Sequence, residues 1–100
     1  MTVNDYIQQK FQIFGIQVSE ADILDMCLTS KISGEDEMNE HCCVRVSVAI
    51  AKFIPSLLLR ATSIGESGFS ISWNVQGIKD YYSFLCKKHG LKDELNTNKP

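Results

Sequence analysis

The sequence lacks three features that would each define a class of protein: a long apolar run, a marked excess of one charge, and a paired-cysteine motif. No run of about 18 apolar residues occurs, which argues against a membrane span. Ten Lys and Arg residues against twelve Asp and Glu leave a net charge of -2, which excludes a basic nucleic-acid-coating protein. With 44% hydrophobic and 22% charged residues, the chain has the composition of a globular protein rather than a disordered one.

The cysteines follow no disulfide or zinc pattern. Cys27, Cys42, Cys43 and Cys86 contain no Cys-x-x-Cys pair, and Cys42 and Cys43 are adjacent within a predicted helix. The first residues do not read as a secretory signal, because no basic stretch precedes an apolar one. We therefore expect reduced thiols, most of them buried among apolar neighbours.

The few candidates for catalysis or zinc binding are weak. Cys86 and His89 are three residues apart on a predicted helix, but a nucleophilic cysteine also needs a lowered pKa and a third orienting group. Adding His41 and Cys42 does not make a good zinc site, because adjacent helical residues point about 100° apart. The sequence therefore predicts no enzyme and no catalytic, metal-binding or cofactor-binding residues.

Ion and nucleic-acid recognition are equally unsupported by the sequence. The acidic residues Glu35, Asp36, Glu37 and Glu40 lack the spacing of a calcium loop. No Gly-x-Gly-x-x-Gly or Walker sequence is present, so Gly65 to Gly68 reads as a turn. The basic residues are scattered, so we expect no sequence-specific nucleic-acid binding, no membrane association and no small-molecule substrate.

The N-terminal third predicts two short helices. The first runs from Thr2, its N-cap, to Phe14, and Gly15 ends it. The second begins with Ser19 as N-cap, reciprocally bonded with Asp22, and fades near residues 29–30. Their predicted apolar stripes are Val3, Ile7, Phe11 and Phe14 in the first helix and Ile23, Leu24, Cys27 and Leu28 in the second.

A third, longest helix is predicted to begin at Glu35 and to continue through the apolar stretch from Cys42 to Ile54. Pro55 should kink or end it, with one more turn reaching Arg60. A helix apolar on two sides is either central to the core or shared with a partner. Its β-branched residues would also suit a strand, which leaves that alternative open.

A change of period separates this helix from the last one. Phe69, Ile71 and Trp73 alternate with polar residues, which predicts a short β-hairpin or extended arm that also includes Ile64. A final helix then follows Asn74, its N-cap, and ends at a C-terminal glycine motif formed by Gly90 and Leu91. The fold class is therefore mainly α, with about four helices and the arm before the C-terminal helix. We expect one helical domain over residues 1–92 and a flexible tail over residues 93–100.

The arm carries a resemblance to a known family. Residues 63–73 read Ser-Ile-Gly-Glu-Ser-Gly-Phe-Ser-Ile-Ser-Trp. This resembles the Ser-x-Gly-x-[Tyr/Phe]-Ser-[Val/Ile]-[Ser/Thr]-aromatic stretch of tailed-phage head–tail connector (head-completion adaptor) proteins. In that family the stretch also follows a long apolar helix, here Val48 to Leu59. The present chain departs from the pattern by inserting Ser67 and Gly68 before the aromatic residue.

The resemblance implies a non-enzymatic structural adaptor of a phage or prophage, found in the bacterial cytoplasm during assembly and then in the virion. Such proteins form an oligomeric ring, typically dodecameric, between the portal and the tail. By analogy, an interface with another subunit or with portal or tail proteins would be formed by Ile64, Phe69, Ile71 and Trp73. A slightly acidic chain suits a lumen that lets DNA pass without binding its phosphates tightly.

Two other functions stay open at this point. A small helical protein-interaction or regulatory module, monomeric or dimeric, would use the long helix as its core and the arm as a recognition loop. Its exposed groove would bind a hydrophobic dye. A small enzyme would use Cys86 and His89, and alkylation at neutral pH would reveal an activated thiolate by its fast reaction.

Overall fold

The structure, a computed structural model, describes residues 1–63 and 74–94. These residues form four helices: α1 (Val3–Gln12), α2 (Glu20–Ser30), α3 (Glu40–Ser63) and α4 (Val75–His89). Within these two ranges no strand occurs, and one isolated antiparallel bridge pairs Thr2 with Glu37. The expectation of a mainly α fold with four helices is confirmed. The expected hairpin or arm lies outside the described residues.

The longest helix, α3, is the centre of the fold, since α1, α2 and α4 all pack against it. Its length and its two apolar sides explain this position, because a helix apolar on two sides must be covered on two sides. It contributes the largest share of the buried apolar residues: Cys42, Val46, Ala49, Ile50, Ala51, Ile54, Leu57 and Leu58.

Helix α1 forms as its sequence predicts but ends earlier. The Thr2 hydroxyl accepts a hydrogen bond from the Asp5 amide at 3.2 Å, and the stripe of Val3, Ile7 and Phe11 is buried. The helix ends at Gln12 rather than at residue 14. A turn follows, with Gly15 at a φ of 74°, a left-handed conformation that glycine adopts without strain.

Helix α2 begins with the reciprocal capping of Ser19 and Asp22 that the sequence predicts. Its apolar face is different from the prediction. Ile23, Met26 and Cys27 are buried, whereas Leu24 and Leu28 are exposed. These two lines of side chains lie roughly 100° apart on the helix, and the first of them faces the core.

The start of α3 corrects the sequence interpretation. The helix begins at Glu40 rather than Glu35, because the Asn39 side chain caps it by accepting hydrogen bonds from the amides of His41 at 2.8 Å and Cys42 at 3.2 Å. The Cys42 sulfur accepts in return from the Asn39 amide at 3.4 Å. This is the reciprocal arrangement of a capping box, with a thiol in place of a carboxylate.

The acidic residues 35–37 instead belong to a loop that closes the N-terminus of α1. The amides of Val3 and Asn4 donate to the carbonyl oxygens of Asp36 at 2.8 Å and Gly34 at 2.9 Å. These amides are among the four that a helix cannot pair internally. A Cβ on Gly34 would collide with the Asn4 side chain, so a larger residue fits here only if that side chain or the loop moves.

Pro55 does not end α3, which was one of the two outcomes that the sequence left open. It lies inside the helix, which continues to Ser63. A proline inside a helix costs about 3 kcal/mol through its missing amide and its ring clash. Burial of Ile54 before it and of Leu57 and Leu58 after it offsets a cost of that size, since each side chain contributes about 1.5–3 kcal/mol.

Helix α4 has the two ends that the sequence predicts. The Asn74 side chain accepts from the Gly77 amide at 2.8 Å, and Gly90 adopts a φ of 66°. The Leu91 amide donates to the Cys86 carbonyl at 2.8 Å, which completes the glycine-based helix end. Beyond it the chain stays attached, because the Glu94 amide donates to the Tyr82 hydroxyl at 2.8 Å. The rest of the predicted tail, from residue 95, lies outside the described residues.

Candidate functional site

The four interface residues predicted from the sequence, Ile64, Phe69, Ile71 and Trp73, lie outside the described residues. The chain on either side of them is described. Helix α3 ends at Ser63, and the Asn74 amide donates to the Phe14 carbonyl at 2.8 Å. Asn74, the first described residue after this segment, is therefore held against the turn that follows α1.

An aromatic cluster lies close to that attachment point. The Lys10 Nζ atom is 5.3 Å from the centre of the Tyr6 ring and 5.7 Å from that of Tyr81. The Tyr81 and Phe14 rings are 5.6 Å apart. Burial, with smaller contributions from Tyr6 and Cys43, raises the pKa of Tyr81 to about 12. These cation–π and ring contacts join α1 to α4 and so fix where the chain enters α4.

Large apolar side chains are exposed on or beside each of the four helices. Seven of them are more than half exposed, and they do not form a single stripe. Single exposed apolar residues are ordinary, whereas a contiguous exposed apolar patch marks a contact surface for another protein. They are Met1, Ile13, Leu24, Leu28, Val44, Leu59 and Phe84.

A groove of about 500 Å³ lies between α3, α4 and the segment that follows α4. Pro55, Tyr82 and Leu91 contribute to its apolar part, and Lys52 and Lys92 to its polar part. The Tyr82 hydroxyl also donates to the Lys92 carbonyl at 3.4 Å, so this wall of the groove is tied to α4. A mostly apolar groove with a few polar groups can accept a peptide segment or a small molecule.

The thiol chemistry of the structure opposes an activated nucleophile. All four cysteines are free, and Cys43 alone among them is exposed. Burial raises the pKa of the Cys86 thiol, partly countered by a hydrogen bond from Tyr82 and assisted by Asp93 and Glu94. Burial and the Asp36 carboxylate raise the pKa of Cys27 in the same direction. A raised pKa keeps a thiol protonated, whereas catalysis requires the thiolate.

The sequence candidates for metal binding are not assembled. Within residues 1–63 and 74–94, no group of three or more His, Cys, Asp and Glu side chains comes together in a way that could hold a metal ion. Glu37 instead pairs with the N-terminal amine at 3.0 Å. The Asp36 carboxylate accepts from the Ser33 amide at 3.3 Å, so this acidic side chain stabilises the loop conformation.

Helix α3 includes a stretch, Glu40–Leu59, that is long and apolar enough to cross a membrane by length and composition alone. Half of that stretch is buried within the fold. The exposed side chains of the same stretch include Val44 and Leu59.

The charge is divided unevenly along the chain. Residues 1–40 contain two lysines and eight acidic residues, a net charge of -6, whereas residues 41–100 contain eight basic and four acidic residues, a net charge of +4. Six of the eight acids of the first part lie on α2 and the following loop. Four of the described bases of the second part lie on α4 and just after it, where three acids offset most of their charge. The net negative charge around α2 is therefore the larger imbalance.

Over residues 1–63 and 74–94, these features describe a small four-helix fold whose candidate sites are an open groove and exposed side chains. The whole chain, residues 1–100, matches a family of unknown function (DUF6706). Since the match covers the entire chain, the protein belongs to this family. No curated protein and no solved structure matches it.

Sequence reasoning missed several parts of this surface. The groove depends on residues from α3, from α4 and from the chain after α4, and no local pattern brings them together. The exposure of Leu24 and Leu28 was hidden because they fit a helical apolar stripe as well as the buried residues do. The uneven charge is visible in the sequence, but only the structure shows that its acidic and basic residues lie on different helices, α2 and α4, that both pack on α3.

Proposed function

We propose that this chain is a non-enzymatic structural adaptor of a tailed phage or prophage. It acts as a head–tail connector that forms an oligomeric ring between the portal and the tail. In this role it is made in the bacterial cytoplasm and becomes part of the virion. The proposal starts from the resemblance of residues 63–73 to the connector proteins and from the mainly α fold.

The observation that carries the proposal is the exposure of large apolar side chains on or beside each of the four described helices. A ring subunit contacts a neighbour on each of two sides through different patches, and it also contacts the proteins above and below. One exposed patch would serve a simple dimer. Exposed residues on different helices, such as Leu28, Val44 and Phe84, suit a subunit with several neighbours.

Native mass spectrometry over a range of protein concentrations tests the proposal, with and without a purified portal protein from the neighbouring genes. We expect a closed ring of many subunits, either alone or on the portal. A strict monomer that ignores the portal would overturn the connector assignment. The substitution Trp73→Ala should weaken assembly if the arm is an interface, and unchanged assembly and stability would contradict that part.

The groove between α3 and α4 favours a second candidate, a small helical protein-interaction or regulatory module. Here one partner segment would occupy the groove beside Pro55 and Leu91. This candidate would be favoured over the connector if the protein is a monomer that binds a hydrophobic dye and if substitutions in the groove abolish that binding.

Thiol alkylation at neutral pH addresses the remaining possibility of an enzyme that uses Cys86. Because Cys86 is buried with a raised pKa and Cys43 is exposed, we expect an alkylating reagent to modify Cys43 first. Mass spectrometry of peptides gives the order of labelling, and a Cys43→Ser variant isolates the slower sites. Fast labelling of Cys86 in that variant would instead indicate an activated thiolate.

A further inference from the structure

Two exposed surfaces of opposite charge lie on different helices. The first, called here the acidic face, consists of Leu24, Asp25 and Leu28 on α2 with Glu20 and Glu35 beside them. Leu24 and Leu28 are 57% and 66% exposed, and the spacing of residues 24, 25 and 28 places them on one side of the helix. An acidic surface that also exposes two leucines suits a partner that is both basic and apolar.

The acidic face has a concave part. Glu20, Leu24 and Glu35 line a groove of about 320 Å³ between α1, α2 and the loop that closes α1. Two carboxylates therefore flank an exposed leucine at a depression in the surface. A cationic side chain that enters this groove would lie near both carboxylates, and an aromatic ring beside it would cover Leu24.

The second surface, called here the basic face, has that complementary composition. It consists of Phe84, Lys87 and Lys88 on α4, spaced so that all three share one side of the helix. Phe84 is 56% exposed, and the Lys88 Nζ atom is 5.7 Å from the centre of its ring. The nearest acid on this side, Asp80, accepts a hydrogen bond from the Gln76 side chain at 3.0 Å and lies one turn away.

The two faces do not cover each other within one molecule. Helices α2 and α4 each pack on α3 and make no extensive contact with one another. Within residues 1–63 and 74–94, neither Asp25 nor Lys87 takes part in an ion pair. Neither face is therefore paired with the other inside the part of the chain that the structure describes.

We infer that the acidic face of one copy binds the basic face of a second copy, with Phe84 and Lys88 entering the groove beside Glu20 and Glu35. Opposite charges steer the two faces together, and burial of Leu24, Leu28 and Phe84 supplies the apolar contribution. Because the two faces are different surfaces, the contact is heterologous and can repeat from copy to copy until it closes. The inference rests on the proposed assembly into a ring and identifies which surfaces build it.

A charge-swap experiment tests this contact on the full chain. One variant carries Asp25→Lys and Glu35→Lys on the acidic face, and the other carries Lys87→Glu and Lys88→Glu on the basic face. Each alone presents two faces of like charge, so we expect its self-association to weaken about tenfold or more. An equimolar mixture restores complementary pairs at both faces, so assemblies should return and contain both variants in alternation.

Native mass spectrometry and sedimentation at low and high salt give the readout, and circular dichroism checks that each variant is folded. The apolar part is tested by Leu28→Ser, with Gln9→Ser, at an exposed polar position of α1 that belongs to neither face, as the control. Only the first should weaken association. If a charge-reversed variant fails to fold, the neutral pair Lys87→Gln and Lys88→Gln replaces it, and its association should lose most of its salt dependence.

The outcomes separate this inference from the proposed function. Wild-type assembly that both charge reversals leave unchanged would overturn the contact but keep the ring. A wild-type protein that stays monomeric at every concentration would overturn the contact, while portal binding would still decide the connector assignment. Recovery of assembly only in the mixture would establish the pairing of the two faces.

Discussion

The N-terminus of α1 and the ends of α4 are closed in different ways. Helix α4 is closed by its own neighbours in sequence, Asn74 before it and Gly90 after it. The first amides of α1 are closed by carbonyl oxygens of a loop about thirty residues further along the chain, at Gly34 and Asp36. Because a distant loop supplies these hydrogen bonds, a substitution in the loop should destabilise the N-terminus of α1.

The largest effect should come from the core that both regions share. The substitution Ile50→Ala, at a fully buried position of α3, should cost about 2–5 kcal/mol through lost burial and a new cavity. Since α1, α2 and α4 all pack on α3, the variant should unfold in one transition. Denaturant unfolding followed by circular dichroism measures both the free energy and the number of transitions.

Two controls sharpen this measurement. Ile50→Val removes a single methyl group and should cost about 0.5–1.5 kcal/mol. Val44→Ala, at an exposed position of the same helix, should stay within about 0.5 kcal/mol of the wild type. Two separate transitions in the Ile50→Ala variant would show that the N-terminal helices and the α3–α4 pair are not one cooperative unit.

Distant closure of α1 is tested next by Gly34→Ala. The added Cβ would collide with the Asn4 side chain and push the loop away from α1, at a cost of about 1–3 kcal/mol. Adding Asn4→Ala removes the colliding group and should recover part of this loss, as a double-mutant cycle of thermal unfolding would show.

Gly90→Ala is the comparison at a locally closed end. Nothing lies within 4 Å of a Cβ at Gly90, so the expected cost of about 1–2 kcal/mol comes only from its left-handed backbone. No second substitution nearby should relieve it. A Gly34→Ala variant as stable as the wild type would contradict the view that the loop must approach α1 closely.

The same contrast explains what the sequence could predict. The caps of α1, α2 and α4 were predictable because Thr2, Ser19, Asn74 and Gly90 act on amides or carbonyls within a few residues. The start of α3 was not, because three acids and a serine also fit a first helical turn. Only the pairing of residues 34 and 36 with α1 shows that they form a loop. Continuation of α3 through Pro55 likewise depends on burial against distant helices.

The interface predicted from the sequence stays a prediction, because its residues lie outside the described ones. They are Ile64, Phe69, Ile71 and Trp73. The surfaces that the structure adds come from packing rather than from local pattern. Whether Leu24 or Met26 faces the core is decided by how α2 rotates against α3, and both fit a helical period. The candidate site could therefore be found only once the fold was known. The four helices could be predicted from apolar periodicity and capping residues.

A smaller effect is expected at the N-cap of α3, which the sequence placed wrongly. Asn39→Ala removes the acceptor for the amides of His41 and Cys42 and should cost about 1 kcal/mol. Asn74→Ala, which removes the cap of α4, is the matched variant and should cost a similar amount. Thermal unfolding compares them, and no loss in Asn39→Ala would mean that α3 does not depend on this cap.

A similarly small effect at neutral pH, but a distinct one in alkali, is expected from the Tyr82 hydroxyl. Burial, opposed by the hydrogen bond from the Glu94 amide, raises the pKa of Tyr82 from 10.0 to about 12. Between these values the unfolded chain loses the proton while the folded protein keeps it. Its contribution to stability is therefore complete below pH 10.0 and is lost as the pH rises to about 12.

Tyr82→Phe should remove that part of the alkaline dependence while keeping the buried ring. At neutral pH it should cost only about 1 kcal/mol, because it loses the hydrogen bonds to the chain after α4. Tyr81→Phe is the matched variant, since the pKa of Tyr81 is also raised to about 12 but its hydroxyl does not hold that segment. Urea unfolding at a series of pH values measures the slopes. Each variant should fall less steeply than the wild type above pH 10.0, and a Tyr82→Phe slope equal to that of the wild type would show that Tyr82 ionises normally in the folded protein.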